Sequence, residues 1–402
     1  MKFIFTVLLA ILAFMNLRGQ IPEDYNPHQN QGKVPEAVIA NLKASSTEID
    51  LPTSNLEQDA IDEFKKLVLK QKQAPFTKGR ILYKDPFTKH ARAVLNEIVQ
   101  SNAALDDTYQ LFVVHDPSPN AQVLPDGTIF INIGLFASLE NEAQLASIMC
   151  HEIAHAKKHH LFKIYRKNVE ARQEEINTDF SDKNFRKLQY SREYESKADA
   201  TGMQYFSSTS YHTAAAIQAL KQLKDSNIYN FKPVALTDHL PLSAKNIQID
   251  SSLIEEVQEE KDDIVMREKQ FGDQFTTHPD IDKRLTALKE VINALDVEGS
   301  QQKFIAANKA EFQKLQVKSR LESLEAYYNY SRYGPGLFHT MQMLAEHPSN
   351  RYLKATVLKN LHWISYYKSI DNLNEVFEHS MLVKNEAYLA FYAKIDDIGL
   401  KK

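Results

Sequence analysis

The sequence predicts an α+β protein that is mostly helical, with a small β-sheet in its first half. Apolar residues recur at helical spacing along much of the chain, as in residues 56–72 and 281–295. Alternating residues of β-branched and aromatic type predict strands only between residues 109 and 133. From residue 304 onward the pattern is helical throughout. The 402 residues, 43% hydrophobic and 25% charged, suffice for one large domain with additions or for two to three domains.

The charge and cysteine content exclude some classes of protein. The net charge is −4, and the scattered lysines and arginines form no basic patch with interleaved aromatics, so no nucleic-acid partner is expected. Cys150 is the single cysteine, which rules out an internal disulfide. We interpret it as a small buried apolar residue, because that is the common role of a free cysteine on a core helix.

The N-terminus predicts export. Lys2 precedes an apolar run over residues 3–17, which is shorter than the roughly 20 residues of a membrane-spanning helix. A charged start, a short apolar core and the small residue Gly19 predict a signal peptide over residues 1–19. The alternative is an uncleaved membrane anchor. The expected location is therefore exported, in the periplasm or cell envelope, with membrane association left open.

The elements that follow are predicted in chain order. Residues 20–79 read as an N-terminal extension that is partly helical, at 35–43 and 56–72. A helix follows at 87–101, introduced by Asp85-Pro86. Strands are predicted at 109–114 and 128–133, and residues 122–124 between them are expected to be short and extended. Pro125-Asp126-Gly127 is a turn signal that makes this region a hairpin. A long helix at 141–160 comes next, and residues 168–209 are mostly helical.

The helix at 141–160 carries the motif His151-Glu152-Ile153-Ala154-His155. Residues four apart face the same side of a helix, about 5–6 Å apart at Cβ, so both imidazoles can reach one zinc ion. Glu152 lies beside the first imidazole and can act on an attacking water as a general base. This arrangement of two histidines and a base is typical of a metallopeptidase.

A catalytic zinc site uses three protein ligands and keeps one position open. The helix predicted at 192–206 offers Glu195 as the third ligand, and Asp199 follows on the same face. Asp199 can accept the free N–H of a ligating imidazole. The cofactor expected from these residues is one Zn²⁺ per chain.

Other polar residues are candidates for stabilising the oxyanion. His278 and Arg284 both lie near the start of the helix predicted at 281–295, after a proline-marked turn. His278 is equally well explained as a helix-start residue, and Arg284 as an ion-pair partner of Asp199 or Glu195. His239 is a lower-ranked alternative to His278.

Two more histidines follow the motif. His159 lies four residues after His155, so it could be a further ligand. We interpret His159 and His160 instead as solvated residues at a helix C-terminus.

The strand beside the motif helix could bind substrate. An extended peptide can add to a sheet edge through main-chain hydrogen bonds, with little demand on its sequence. The residues predicted to do so are Thr128, Ile129, Phe130, Ile131 and Asn132.

Several separated motifs of this sequence resemble those of the HtpX-like and BepA-like zinc metallopeptidases, which are relatives of the CAAX prenyl protease. The motifs are residues 120–135, 140–146, 151–155 and 192–199, together with Thr277-His278-Pro279 and Arg284. The resemblance covers residues 80–295 and rests on separated motifs in the same order. It implies a gluzincin metallopeptidase domain there. This sequence departs from the family pattern in its longer gap between Asp199 and His278, so residues at about 225–275 are interpreted as an insertion that could form a lid. The resemblance also implies zinc held by His151, His155 and Glu195, with Glu152 as base and His278 at the mouth of the site.

The C-terminal region, residues 302–402, is predicted to be all helical. Two weakly similar segments, at 330–333 and 365–368, are about one helix pair apart, with His347-Pro348 between them. Degenerate helix-pair repeats and a plain helical bundle both fit this pattern. The resemblance implies that such a region accompanies exported relatives.

The leading hypothesis is an exported zinc-dependent endopeptidase that hydrolyses misfolded or unassembled envelope proteins. Its expected partners are unfolded or extended polypeptides, together with an envelope protein bound through the C-terminal helices. No membrane span is expected in the mature chain. The alternative is a non-proteolytic periplasmic chaperone or adaptor with a latent or structural zinc site.

Overall fold

A computed structural model describes residues 21–23, 25–28, 49, 51–52, 58–105, 109–174, 192–226, 281–295, 309–377 and 386–397. The strands are β1 (Gln110–Val114), β2 (Ala121–Val123) and β3 (Thr128–Asn132). The helices before residue 300 are α1 (Gln58–Thr77), α2 (Pro86–Gln100), α3 (Ile133–Ser138), α4 (Glu142–Lys157), α5 (His160–Glu174), α6 (Arg192–Ser207), α7 (Ala214–Ser226) and α8 (Ile281–Ala294). The later helices are α9 (Lys309–Asn329), α10 (Tyr333–Glu346), α11 (Arg351–Ser369), α12 (Leu373–Phe377) and α13 (Glu386–Asp397).

The predicted fold class is confirmed: the protein is mostly helical and contains a small three-stranded sheet. The helix predicted at 87–101 begins one residue earlier, because Asp85 caps it by accepting a hydrogen bond from the Thr88 amide and Pro86 occupies the first turn. Helices α3 and α7 were not predicted. The residues at 129–136 are apolar apart from Asn132 and Gly134, and this pattern gives no clear sign of where β3 ends and α3 begins.

Several sequence predictions lie outside the described residues. These are the signal peptide at 1–19, the helix at 35–43 and the segment containing His239 and His278. The insertion predicted at 225–275 also lies outside them, except for its first two residues, which complete α7. Among the described helices, none combines the length and the apolar character of a membrane span.

The long helix predicted at 141–160 is two helices. Helix α4 ends at Lys157, and α5 begins at His160 after a left-handed residue, His159, with φ of 52°. One left-handed residue is enough to stop a helix and redirect the chain. The prediction of one continuous helix was therefore wrong.

The order of strands in the sheet is β1-β3-β2. Strand β3 is central, paired in parallel with β1 and antiparallel with β2. Thr128, Ile129, Phe130, Ile131 and Asn132 thus have hydrogen-bonded neighbours on both sides. The prediction that these residues receive substrate as an added strand was wrong, because a central strand has no free edge.

Both faces of the sheet are buried. Leu111, Val113, Ile129 and Ile131 join the largest apolar cluster, together with residues of α2 and α4. The opposite face is covered by α1 and α5 through a second cluster. Its members from those helices are Phe64, Leu67, Val68, Phe76, Phe162 and Tyr165. The sheet therefore forms a rigid layer, and α4 packs directly against it.

Helix α9 connects the sheet-containing core to the C-terminal helices. Phe312 belongs to the same cluster as the sheet, whereas Leu321 and Leu324 belong to the C-terminal cluster. Glu322, on α9, is bound by His115 at the end of β1, with 2.9 Å between His115 Nε2 and Glu322 Oε2. Helix α9, which follows the domain boundary predicted between residues 295 and 302, is thus shared by both cores. The predicted domains at 80–295 and 302–402 stay a prediction.

The C-terminal helices contain the same helix ending twice. Ser331 and Asp371 each follow a helix in the left-handed region, both with φ of 57°. The next amide donates back to a tyrosine carbonyl in each case, Arg332 to Tyr327 and Asn372 to Tyr367. This is the Schellman pattern of helix termination. The repeat of the ending is compatible with helix-pair units, which also stay a prediction.

Candidate active site

Helix α4 is the most deeply buried helix of the sheet-containing core. Asn141 caps it by accepting a hydrogen bond from the Gln144 amide at 3.1 Å. The helix packs against α6, α7, α2 and β2. Cys150 is fully buried, and this burial raises the pKa of its thiol far above the ordinary range. The interpretation of Cys150 as a core residue fits these surroundings.

Three side chains converge between α4 and α6: His151, His155 and Glu195. The two Nε2 atoms of the histidines are 3.0 Å apart. Glu195 Oε2 lies 3.6 Å from His151 Nε2, and Glu195 Oε1 lies 3.4 Å from His155 Nε2. Glu195 and His155 are almost completely buried, while His151 is partly accessible.

The separation of these donor atoms matches a small tetrahedral metal ion. Two ligand atoms about 2.0–2.1 Å from such an ion are about 3.3–3.4 Å from each other. The nitrogens are 3.0 Å apart, and each lies 3.4 or 3.6 Å from a different oxygen of Glu195, so the separations are close to that value. A set of two imidazole nitrogens and one carboxylate oxygen also suits zinc chemically. The residues therefore fit the metal that the sequence predicted.

A second group of residues holds the first in place. Asp199 Oδ1 is 2.9 Å from His151 Nδ1, so the carboxylate can accept a hydrogen bond from the Nδ1–H of His151. Arg284 donates to both oxygens of Asp199, at 2.8 Å from Nε and 2.7 Å from Nη2. Its Nη1 lies 3.0 Å from Glu195 Oε2. All three nitrogens of the guanidinium thus face the carboxylates beside the histidines, as in the ion-pair alternative for Arg284.

The charges of this cluster are balanced inside the protein. Burial raises the pKa of Asp199, but its contacts with Arg284 and His151 outweigh burial and hold it at about 2. Burial and Arg284 lower the pKa of His151, yet hydrogen bonding to Asp199 and Glu195 raises it overall to about 9. The carboxylates therefore favour positive charge at this point, either a proton or a metal cation.

Glu152 is also buried in this region, with 4% of its surface exposed. Burial lowers the pKa of Arg284, whereas Asp199, Glu195 and Glu152 raise it, and the net shift is upward. Glu152 thus lies within the electrostatic reach of the cluster. It follows His151 directly on α4, so its side chain leaves the helix on an adjoining face.

The two histidines after the motif have different surroundings. His160 is 1% exposed, and its Nδ1 lies 3.0 Å from His155 Nδ1. Burial and the nearby Lys163 charge lower the pKa of His160 to about 4. The prediction that His160 is solvated was wrong, because the break at His159 turns the chain back onto α4. His159, the alternative ligand considered above, is not a member of the metal-ligand cluster found among the described residues.

Gly202 is a site residue that the sequence interpretation missed. A Cβ atom at this position would lie 2.8 Å from His151 Cα, 2.9 Å from His151 N and 3.0 Å from Cys150 O. These are backbone atoms of α4, which cannot move aside as a flexible side chain can. Gly202 therefore lets α6 approach α4 closely enough for Glu195 to meet both histidines. A glycine inside a predicted helix was the available signal.

We expect Gly202→Ala to loosen the contact between α4 and α6. The added methyl group should lower the free energy of unfolding by about 1–3 kcal/mol, which is typical of overpacking. It should also weaken metal binding, because it moves Glu195 away from the histidines. Urea unfolding and competition for zinc with a chelator measure the two effects. Thr201→Ala on the same helix is the control, and unchanged stability and metal affinity in Gly202→Ala would contradict this role.

The two imidazoles and the carboxylate, carried by two closely packed helices, form a candidate metal site of the kind found in metallopeptidases. The chain belongs to peptidase family M48, whose sequence model matches residues 87–292. This places the cluster and the sheet inside the matched region. The resemblance inferred from the motifs is thereby confirmed at the level of the family.

Individual relatives match shorter segments. The mitochondrial metalloendopeptidase OMA1 of Schizosaccharomyces pombe is 37% identical over 70 residues, 17% of this chain and 21% of the relative. The metalloendopeptidase OMA1 of Bos taurus is 32% identical over 108 residues, 26% of this chain and 18% of the relative. The beta-barrel assembly-enhancing protease of Yersinia pestis is 26% identical over 81 residues, 20% of this chain and 17% of the relative. The chain thus spans about a fifth of the length of these relatives.

Proposed function

We propose that this protein is a zinc-dependent endopeptidase, with His151, His155 and Glu195 as ligands and Glu152 as general base. The observation that carries the proposal is the convergence of two imidazole nitrogens and one carboxylate between α4 and α6, with 3.0 Å between the nitrogens and 3.4 and 3.6 Å from them to the two carboxylate oxygens. The donor set of two imidazoles and a carboxylate leaves a fourth position for water or substrate, as in catalytic rather than structural zinc sites.

The chain's own groups divide the work of hydrolysis. When bound, zinc supplies Lewis acidity, which polarises a carbonyl and makes water acidic at neutral pH. Glu152 takes a proton from the water as its oxygen attacks the scissile carbonyl, and it then delivers that proton to the leaving amide nitrogen. Asp199 orients His151, and Arg284 fixes both Asp199 and Glu195. His278 stays a proposed accessory group at the mouth of the site.

Substrate recognition is proposed at β2 in place of β3. Within the described residues, β2 is an outer strand of the sheet. Asn120 O and Leu124 N bond to β3, so in an antiparallel ladder the main-chain groups of Ala121 and Val123 point away from it. An extended polypeptide can pair with these groups through main-chain hydrogen bonds alone. Such binding favours unfolded segments over folded ones.

The proposed biological role is degradation of misfolded or unassembled envelope proteins after export. Export is supported by the charged start and the apolar run over residues 3–17. Similarity to a beta-barrel assembly-enhancing protease supports the substrate class. The domain arrangement we propose is a peptidase domain at 80–295 and a partner-binding helical region at 302–402. The family assignment favours this enzyme over the non-proteolytic chaperone or adaptor.

We expect the purified protein to contain one zinc per chain and to cleave unfolded outer-membrane barrel protein and casein. Removal of the metal with 1,10-phenanthroline should abolish cleavage, and stoichiometric zinc should restore it. Elemental analysis and gel-based cleavage assays measure both results. The refolded barrel protein in detergent is the matched control, and it should resist cleavage. Chelator-resistant cleavage, or equal cleavage of folded and unfolded barrel, would contradict the proposal.

A further inference from the structure

His160 reaches His155 only because the chain breaks between α4 and α5. Each residue of a helix advances by about 100°, so the fifth residue after His155 would lie about 140° around a continuous helix. The left-handed conformation of His159 turns the chain instead, and His160 returns to the cluster. Its Nδ1 comes within 3.0 Å of His155 Nδ1, and both rings are 1% exposed.

The contact between these rings constrains where the protons lie. A neutral imidazole has one N–H and one acceptor nitrogen. His155 Nε2 faces His151 and Glu195, so its lone pair must be free there to bind a metal, and the proton belongs on Nδ1. The 3.0 Å contact then requires His160 Nδ1 to be the acceptor, with its own proton on Nε2.

The orientation of the His160 ring is fixed by Tyr194. The two rings stack with centroids 4.7 Å apart and an interplanar angle of 28°. Tyr194 is buried and directly precedes Glu195 on α6. His160 therefore contacts the ligand residue His155 on α4 and, on α6, the direct neighbour of Glu195. Its position depends on both helices at once.

We propose that His160 is a positioning residue. Its Nδ1 accepts a hydrogen bond from the Nδ1–H of His155, which keeps the proton of His155 on Nδ1 and leaves the Nε2 lone pair directed toward the metal. It has the same relation to His155 that Asp199 has to His151. The difference is that an imidazole accepts without adding negative charge to the site. The inference rests on the proposed metal site, since it assigns a role to a residue acting through one of the ligands.

A pair of polar variants tests the acceptor. His160→Asn places a carbonyl oxygen close to the position of Nδ1, whereas His160→Gln places it one bond farther along the side chain. We expect the affinity for zinc, measured by competition with a chromogenic chelator, to fall about 10–100-fold in His160→Gln. His160→Asn should retain an affinity close to that of the unchanged protein. The absorption spectrum of the cobalt-substituted protein should shift in His160→Gln only.

The comparison separates this role from a purely structural one. Both variants lose the stacking on Tyr194, so their metal-free forms should unfold at similar urea concentrations. Equal zinc affinities in the two variants would overturn the proposal, because the acceptor would then not matter. His159→Asn, which suits a left-handed residue, is the control and should bind zinc normally. Failure of the unchanged protein to bind zinc would instead overturn the proposed function itself.

Discussion

Glu152→Gln is expected to reduce cleavage of unfolded substrate about 10²–10⁴-fold, which is the usual contribution of a general base. The amide is nearly the same size as the carboxylate, so the buried position beside His151 stays filled. It cannot accept a proton from the attacking water at neutral pH, and proton transfer to the leaving nitrogen is lost as well. Zinc content should not change, because the three proposed ligands are intact.

The measurement is a comparison of initial cleavage rates at equal zinc content. Glu140→Gln is the matched control, since Glu140 is exposed and directly precedes the N-terminal cap of α4. Its cleavage rate should equal that of the unchanged protein. Full activity of Glu152→Gln, in a preparation whose Glu140→Gln counterpart behaves normally, would remove Glu152 from the mechanism. Loss of zinc from Glu152→Gln would indicate a structural role.

The candidate site was predictable from the sequence because its residues obey local spacing. His151 and His155 are four apart, as are Glu195 and Asp199, and helical geometry places each pair on one face. The distance between the two helices was not predictable in this way. It depends on Gly202, whose role appears only when the backbone of α4 is beside it. The pairing of Arg284 with Asp199 and Glu195 likewise required the tertiary structure.

The errors in the fold share a physical cause. Strand positions follow from side-chain pattern, but strand order depends on contacts distant in the sequence, so β3 was taken for an edge strand although it is central. The break at His159 left no proline or glycine signal, and a histidine in the left-handed region is uncommon. The same break buries His160, which explains why that residue was taken for a solvated one.

Arg284→Met is expected to lower the free energy of unfolding at pH 7 by about 3–5 kcal/mol, as is usual when one partner of a buried ion pair is removed. Glu195 and Asp199 are buried, and Arg284 binds both. Methionine fills part of the space but leaves the carboxylates without their cation. Arg284→Lys should be intermediate, because a lysine retains the charge but cannot bind both oxygens of Asp199 in a fork.

The pH dependence of unfolding tests whether the loss of stability in Arg284→Met is electrostatic. The pKa of Asp199 is held at about 2 in the folded protein, below the ordinary value of about 3.9, so its stabilisation is present above pH 4 and is lost as the pH falls toward 2. In Arg284→Met this pKa should rise, because the largest favourable contact is gone. The difference in unfolding free energy between the two proteins should therefore be greatest near neutral pH and should shrink between pH 4 and pH 2.

Urea unfolding in the presence of a chelator, at pH 7 and at pH 3, measures this difference without a contribution from bound metal. Arg351→Met is the control, because Arg351 is exposed at the start of α11, and its effect should be within about 0.5 kcal/mol at both pH values. A loss in Arg284→Met that is equally large at both pH values would mean that packing, not charge, is what Arg284 contributes. A loss that shrinks at low pH would instead show that the guanidinium allows Asp199 to stay ionised beside His151.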